Sequence, residues 1–202
     1  MATASWHRRA GWWVALAVAV VVGVFVAADV TTRSSTADRQ ASLSGYMSTV
    51  AGDVAQCSAG THDAVVGWAR SLASGAGAAT AKTFTTQAIA ACSFENSGVV
   101  GLGTTIPARN LPAVAARIGD GADAWAYLGA FDLLQAMKTA EAAPGVAADR
   151  AAVARAAAAA DRQRRNVEAL VADAERAVGG PSRPLPLVQV TPLLPSGLGG
   201  AA

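Results

Sequence analysis

The stretch ADRAAVARAAAAADRQRRNVEALVADAERAV, residues 148–178, decides the fold class, because it predicts one long helix. It contains neither Pro nor Gly and includes five consecutive Ala, the residue with the highest helix propensity. Small apolar residues recur along it at alternating spacings of four and three, which is typical of a helix with one packing face. We call these positions the seam: Val153, Ala157, Ala160, Arg164, Val167, Val171, Ala174 and Val178. We expect the seam, which Arg164 interrupts, to pack on its own domain. The alternative is a partner helix from a second subunit.

Upstream of this helix, the sequence predicts a helix that begins near Ser35, where Asp38 follows at capping-box-like spacing. Ser58–Gly60 should end it. Its expected buried stripe is Leu43, Met47, Val50, Val54 and Cys57. Thr61 would then cap a second helix, which the Gly-rich residues 73–80 interrupt.

Helix should resume after this interruption and reach Cys92, with Phe84, Ala88 and Ala91 on one side. Residues 93–112 are the least helical part of the body, since Asn96-Ser97-Gly98 favours a turn and Pro107 and Pro112 resist helix.

Two further helices are expected before the seam helix: a short one at 113–118, and one at 122–142 that Pro144 and Gly145 stop. The second is our candidate for the centre of the bundle. Its expected core residues are Leu128, Phe131, Leu134 and Met137.

The fold class is therefore mostly α, with residues 31–180 forming an antiparallel helical bundle. Residues 181–202 are a Pro-rich tail, expected to be extended and flexible. Since the tail also carries Leu and Val, the alternative is that it folds back on the bundle or binds another molecule.

The N-terminal region predicts the location of the protein. Residues 11–28 carry no charge and as a helix would span roughly 27 Å, just enough for a bilayer core. We interpret 1–10 as a cytoplasmic basic stub, 11–30 as a transmembrane signal-anchor, and the rest as extracytoplasmic. The residues expected at the membrane interface are Arg8, Arg9, Trp12 and Trp13.

A cleavable signal peptide is the main alternative, because Val26-Ala27-Ala28 resembles a small-residue cleavage site and Gly23 precedes it. The protein would then be secreted. A soluble protein with a buried apolar helix is the third interpretation.

Cys57 and Cys92 are the two cysteines of the chain, and both lie in the exported part. In an oxidising compartment an isolated pair favours a disulfide. Closing this loop would contribute roughly 3–4 kcal/mol. Two free buried thiols are the alternative.

Charge and motifs point away from several function classes. The net charge of +2 comes from residues 1–33, and the remaining acidic and basic residues cancel, which argues against nucleic-acid binding. We predict no cofactor and no metal site, since only His62 lies in the exported part. Ser58, His62 and Asp63 lie close in sequence, but Ser58 lacks the context of a hydrolase nucleophile.

We therefore predict a non-enzymatic envelope protein, typical in its Arg-rich composition of a bacterial GC-rich genome, that engages the lipid bilayer. It would bind an envelope protein through its final helix or Pro-rich tail. The alternative is a secreted small-ligand-binding protein or hydrolase that uses the 93–112 loop and His62.

Overall fold

A computed structural model describes residues 35–74, 79–92, 110–142, 147–195 and 198. These residues are mostly helical, and no strand occurs among them. The helices are α1 (Thr36–Ser74), α2 (Ala79–Ala91), α3 (Ala113–Trp125), α4 (Asp132–Ala142) and α5 (Ala147–Val178). A π-helical segment, Ala126–Phe131, joins α3 to α4, and a 3-10 turn, Thr191–Leu193, follows α5.

The chain divides into two compact units, Met1–Asp38 and Arg39–Ala202. In the first, Ser35 and Asp38 form the expected reciprocal cap. The Ser35 backbone N–H donates to Asp38 Oδ2 at 3.0 Å, and the Asp38 N–H donates to Ser35 Oγ at 3.0 Å. The hydrogen bonds from Ser35 hold the pKa of Asp38 below its ordinary value. The bundle itself belongs to the second unit.

Helix α1 does not end at Ser58–Gly60, so that prediction and the role of Thr61 as a cap are wrong. A Cβ on Gly60 would lie 3.3 Å from the Cα of Ala88, so this glycine lets α2 approach closely. Thr61 is buried, with its hydroxyl 3.6 Å from Cys92 Sγ. Packing between the two helices thus offsets the low helix propensity of Gly, which costs about 1 kcal/mol.

Cys57 and Cys92 form the predicted disulfide, with 2.10 Å between the sulfurs and 4.5 Å between the Cα atoms. Both side chains are fully buried. Cys92 directly follows α2, but Cys57 lies in the middle of α1. The expectation that the bridge joins two helix ends is therefore wrong for Cys57. The bridge fixes the end of α2 to the middle of α1.

Between Ala113 and Ala142 the chain is one continuous helical rod, so the expected break between 118 and 122 is absent. The glycines there are used for packing. A Cβ on Gly121 would lie 3.2 Å from side-chain atoms of Val167 and Leu170 on α5. Close contact between helices explains Gly at this position better than a helix end does.

The π-helical segment keeps one face of this rod buried. Trp125, Gly129, Leu133 and Met137 are buried at successive spacings of four residues. In a regular α-helix of 3.6 residues per turn such a series drifts around the axis, and the wider π turn absorbs the drift.

The predicted core of this rod is confirmed in part. Leu134 and Met137 are fully buried, while Phe131 is partly buried. Leu128 is 58% exposed, so its assignment to the core is wrong. Trp125 is instead the largest fully buried side chain of the described residues.

Helix α5 matches its predicted bounds within one residue, and its seam packs on α3, the π-helical segment and α4. A Cβ on Gly129 would lie 3.1 Å from the Cα of Ala160, which measures how closely the two helices approach. Val171 is partly buried, and Arg164 pairs with Glu168. The buried seam residues are Val153, Ala157, Ala160, Val167, Ala174 and Val178.

The close contacts define the helix directions. Gly60 with Ala88 and Gly67 with Phe84 place α2 antiparallel to α1, and the contacts of Gly121 and Gly129 place α5 antiparallel to α3. The prediction of a helical bundle is confirmed. No helix within the described ranges is long and apolar enough to cross a membrane, and residues 11–30 lie outside those ranges.

Candidate interaction surface

The C-terminal segment reverses direction at the end of α5. Gly179 has a φ of 77°, a left-handed conformation that suits glycine at a helix C-terminus. The backbone N–H groups of Gly179 and Gly180 both donate to the carbonyl oxygen of Glu175, at 2.9 and 3.2 Å. The side-chain amide of Gln40 on α1 donates to the Gly179 carbonyl at 2.8 Å. The chain therefore leaves α5 along α1.

Residues 181–195, which we call the strap, then run over α1 and α5 without regular secondary structure up to the 3-10 turn at Thr191–Leu193. At the start of the strap, Glu175 Oε1 accepts hydrogen bonds from the Ser182 N–H at 2.6 Å and from its hydroxyl at 2.9 Å. Further along, Ser58 Oγ on α1 accepts the Val188 N–H at 3.0 Å. The strap thus contacts both helices through side-chain acceptors, and we call this surface the strap groove.

Asp161 on α5 makes the most buried of these contacts. Its side chain is only 3% exposed. Oδ1 accepts the N–H of Val190 at 2.8 Å and Oδ2 accepts that of Thr191 at 3.0 Å, at the start of the 3-10 turn. Burying a carboxylate is costly unless it is hydrogen-bonded, and these two amides satisfy both oxygens. Val190 is itself fully buried.

The length of the strap matches the helix it follows. Contacts with Gln40 and Ser58 mark the two ends, 18 residues apart on α1, or roughly 27 Å at helical rise. The nine residue steps from Gly179 to Val188 would span roughly 28 Å in a polyproline-like conformation. An extended chain is therefore needed to reach both ends, and the prolines favour that conformation.

The prolines of the strap avoid the amides that the groove uses. Pro has no N–H, so it cannot stand where the groove accepts a backbone hydrogen bond. The donors are Ser182, Val188, Val190 and Thr191. The prolines of the strap are Pro181, Pro184, Pro186, Pro192 and Pro195. This arrangement recognises an extended backbone in a defined register.

A cavity of about 220 Å³ lies between α5 and the strap. Val167 and Val171 on α5 face Leu185 and Leu187 on the strap across it. Its lining combines apolar side chains with Glu168, Glu175 and Ser182. The strap is therefore held by hydrogen bonds at Ser182 and at 188–191, with looser packing at the cavity between them.

These contacts favour the alternative stated for the tail, that it folds back on the bundle. Sequence reasoning missed the three acceptors, Ser58, Asp161 and Glu175. Asp161 and Glu175 lie in a helix rich in charged residues, where a carboxylate is expected to face solvent. The one available signal was the absence of Pro at residues 187–191, between two Pro-containing stretches.

Of the residues of the hydrolase alternative, His62 and Asp63 contact each other, whereas the Ser58 hydroxyl binds the strap. The Ser58 hydroxyl is buried and accepts the strap amide of Val188. The side chain of His62 is 50% exposed, with Nδ1 at 3.2 Å from Asp63 Oδ1. His62 and Asp63 both lie inside α1. Of the 93–112 loop, only 110–112 are described.

Several predicted residues lie outside the described ranges, namely Arg8, Arg9, Trp12 and Trp13. Within the described ranges, no group of three or more His, Cys, Asp or Glu side chains is arranged to hold a metal ion. No protein-family model, curated protein or solved structure matches the chain. The strap groove is therefore the candidate functional site of the described structure.

Proposed function

We propose that this protein is a single-pass envelope protein whose helical body lies outside the cytoplasm and binds another protein without catalysing a reaction. The observation that carries the proposal is the strap groove, where Ser58, Asp161 and Glu175 bind backbone amides of an extended segment. Hydrogen bonds to the main chain of a bound segment, with pockets for its side chains, are a recurring mode of peptide recognition. Residues 1–10 would be cytoplasmic and 11–30 would anchor the chain.

The location is supported by two independent features. The uncharged run at 11–28 follows Arg8 and Arg9, as expected for a signal-anchor with a cytoplasmic N-terminus. The buried Cys57–Cys92 disulfide is of the kind that persists in oxidising compartments. Both features support a body that lies outside the cytoplasm.

Location is tested by intact mass measurement on membrane and soluble fractions, with thiol alkylation before and after reduction. We expect a full-length membrane species that is alkylated at Cys57 and Cys92 only after reduction. A soluble species that begins near Ala28 would contradict the anchor and support secretion. Alkylation without reduction would contradict the oxidising location.

The interaction role is tested by substitutions in the strap of the full chain. Val190→Asp places a charge in a fully buried position, while Gln189→Asp adds the same charge at an exposed neighbour. We expect Val190→Asp to change the set of proteins cross-linked to the chain in intact membranes, and Gln189→Asp to leave it unchanged. An identical set for both variants and the wild type would contradict the role of this surface.

A further inference from the structure

We infer that the strap groove accepts the strap of a second copy of this chain, so that copies associate by exchanging residues 181–195. The inference rests on the interaction role proposed above and names its partner. The proposed occupant is the strap of another copy, since the backbone amides of this segment already match the acceptors of the groove.

The first step is that the contacts of the strap do not depend on its own chain. The acceptors Ser58, Asp161 and Glu175 belong to α1 and α5, and the donors are backbone amides of the strap. A strap from a second copy would present the same amides in the same register. Exchange of an identical element preserves these contacts, which makes it a low-cost route to association.

The second step is that the connection between α5 and the strap is built for a change of direction. Gly179 and Gly180 are adjacent, and the left-handed φ of Gly179 directs the strap back along the bundle. Glycine populates right-handed and left-handed conformations with similar ease. Rotation about these two residues would direct the strap away from its own groove while α5 stays intact.

The third step is that the groove requires particular residue types at particular positions, and the strap has them. It needs non-proline residues at 188, 190 and 191, and a buried apolar side chain at 190. Leu185 and Leu187 add apolar contacts at the cavity along α5. Copies held on one membrane surface would also meet at a high effective concentration.

The experiment is complementation between two full-length variants that carry different affinity tags. Val190→Asp damages the strap and leaves the groove intact. Asp161→Asn damages the groove, because its amide N–H₂ replaces one acceptor oxygen, and leaves the strap intact. In a mixture of the two variants, the intact strap of the Asp161→Asn chain can enter the intact groove of the Val190→Asp chain. We expect co-purification of the two tags at least about tenfold above that of either variant with itself, a difference of about 1.4 kcal/mol in association.

The matched control pairs Val190→Asp with the double variant Val190→Asp/Asp161→Asn, a mixture in which no strap is intact. We expect this pair to co-purify no more than background. Helical circular dichroism establishes that each variant is folded. No complementation between folded variants, or equal co-purification in every pair including the control, overturns the inference.

A second measurement applies if Val190→Asp does not fold. A synthetic peptide of residues 181–195 is added to tagged wild-type mixtures, beside the same peptide with Pro at position 190, which removes one amide donor. We expect the wild-type peptide alone to lower co-purification. Equal effects of the two peptides, or none, overturn the inference. If Val190→Asp changes the cross-linked proteins while complementation fails, the interaction role stands with a different partner.

Discussion

Helix α5 is held by two different kinds of contact. Along the seam, it packs against α3, the π-helical segment and α4 through small apolar side chains, and the backbone hydrogen bonds stay within each helix. Against the strap, which has no regular partner for most of its backbone, side chains such as Asp161 accept the strap amides. The seam depends on shape and buried area, whereas the strap depends on a few directed polar contacts.

The largest expected effect lies on the seam side of this comparison. Trp125→Ala removes the largest fully buried side chain and should lower the free energy of unfolding by about 3–5 kcal/mol. Leu128→Ala, three residues away and 58% exposed, should change it by less than about 0.5 kcal/mol. Urea denaturation of both variants measures this difference. A comparable cost for Leu128→Ala would contradict the register that the π-helical segment imposes.

The next largest change in the free energy of unfolding is expected at the strap. Asp161→Ala leaves the amides of Val190 and Thr191 without their acceptor and should cost about 2–3 kcal/mol. Asp173→Ala on the same helix removes only an exposed pair with Arg176 and should cost at most about 1 kcal/mol. Amide hydrogen exchange should accelerate at residues 190 and 191 in the first variant, and at neither position in the control. Unchanged exchange there would show that Asp161 does not hold the strap.

Two glycines should respond to the same substitution with opposite signs. A Cβ on Gly129 would lie 3.1 Å from the backbone of Ala160, so Gly129→Ala should destabilise the seam by about 1–2 kcal/mol. Gly52 is exposed on α1 with nothing within 4 Å, so Gly52→Ala should stabilise the protein by about 0.5–1 kcal/mol. Midpoints of thermal unfolding report both. Stabilisation by Gly129→Ala would mean that the two helices are farther apart than described.

The smallest effect is a pH dependence at a third interface, between α1 and α3. Burial, together with the carboxylates of Asp120 and Asp123, raises the pKa of Tyr46 above its ordinary value of 10.0. Folding therefore favours the neutral phenol. As the pH rises past the unfolded pKa, the unfolded chain releases its proton first and the free energy of unfolding falls. Tyr46→Phe should make this decline shallower, as measured by urea midpoints on either side of about pH 10. An unchanged slope would show that Tyr46 does not titrate in this way.

The seam side was predictable from sequence because its signal is periodic. Helix α5 was predicted within one residue, and most of its seam is buried, since a face that repeats at four and three residues reflects the geometry of the helix itself. The errors fell at Gly60 and Gly121, where glycine serves close packing between helices and not a helix end. Leu128 was misplaced because the π-helical turn shifts the register, and no residue pattern announces such a turn.

The strap side was not predictable to the same degree. Apart from the contact of Ser182 with Glu175, its hydrogen bonds join backbone amides, which every residue except Pro carries, to acceptors more than twenty residues away. Neither end of such a bond has a distinctive residue pattern. Asp161 follows the run of five Ala and resembles any solvent-facing carboxylate, until a segment about thirty residues downstream covers it.

The position of the strap in the chain has a consequence for biogenesis. A chain that emerges from its N-terminus brings Cys57 and Cys92 together early, before α3, α4 and α5 have been made. The amides of residues 188–191 emerge after every helix, and their acceptors come from both the first and the last of them. Oxidation of the two thiols would therefore secure the first helical pair before the later helices are made. The strap could dock only after the whole bundle has been assembled. In a nascent chain stalled inside α5, Ser58 would lack the Val188 amide that it binds in the folded protein.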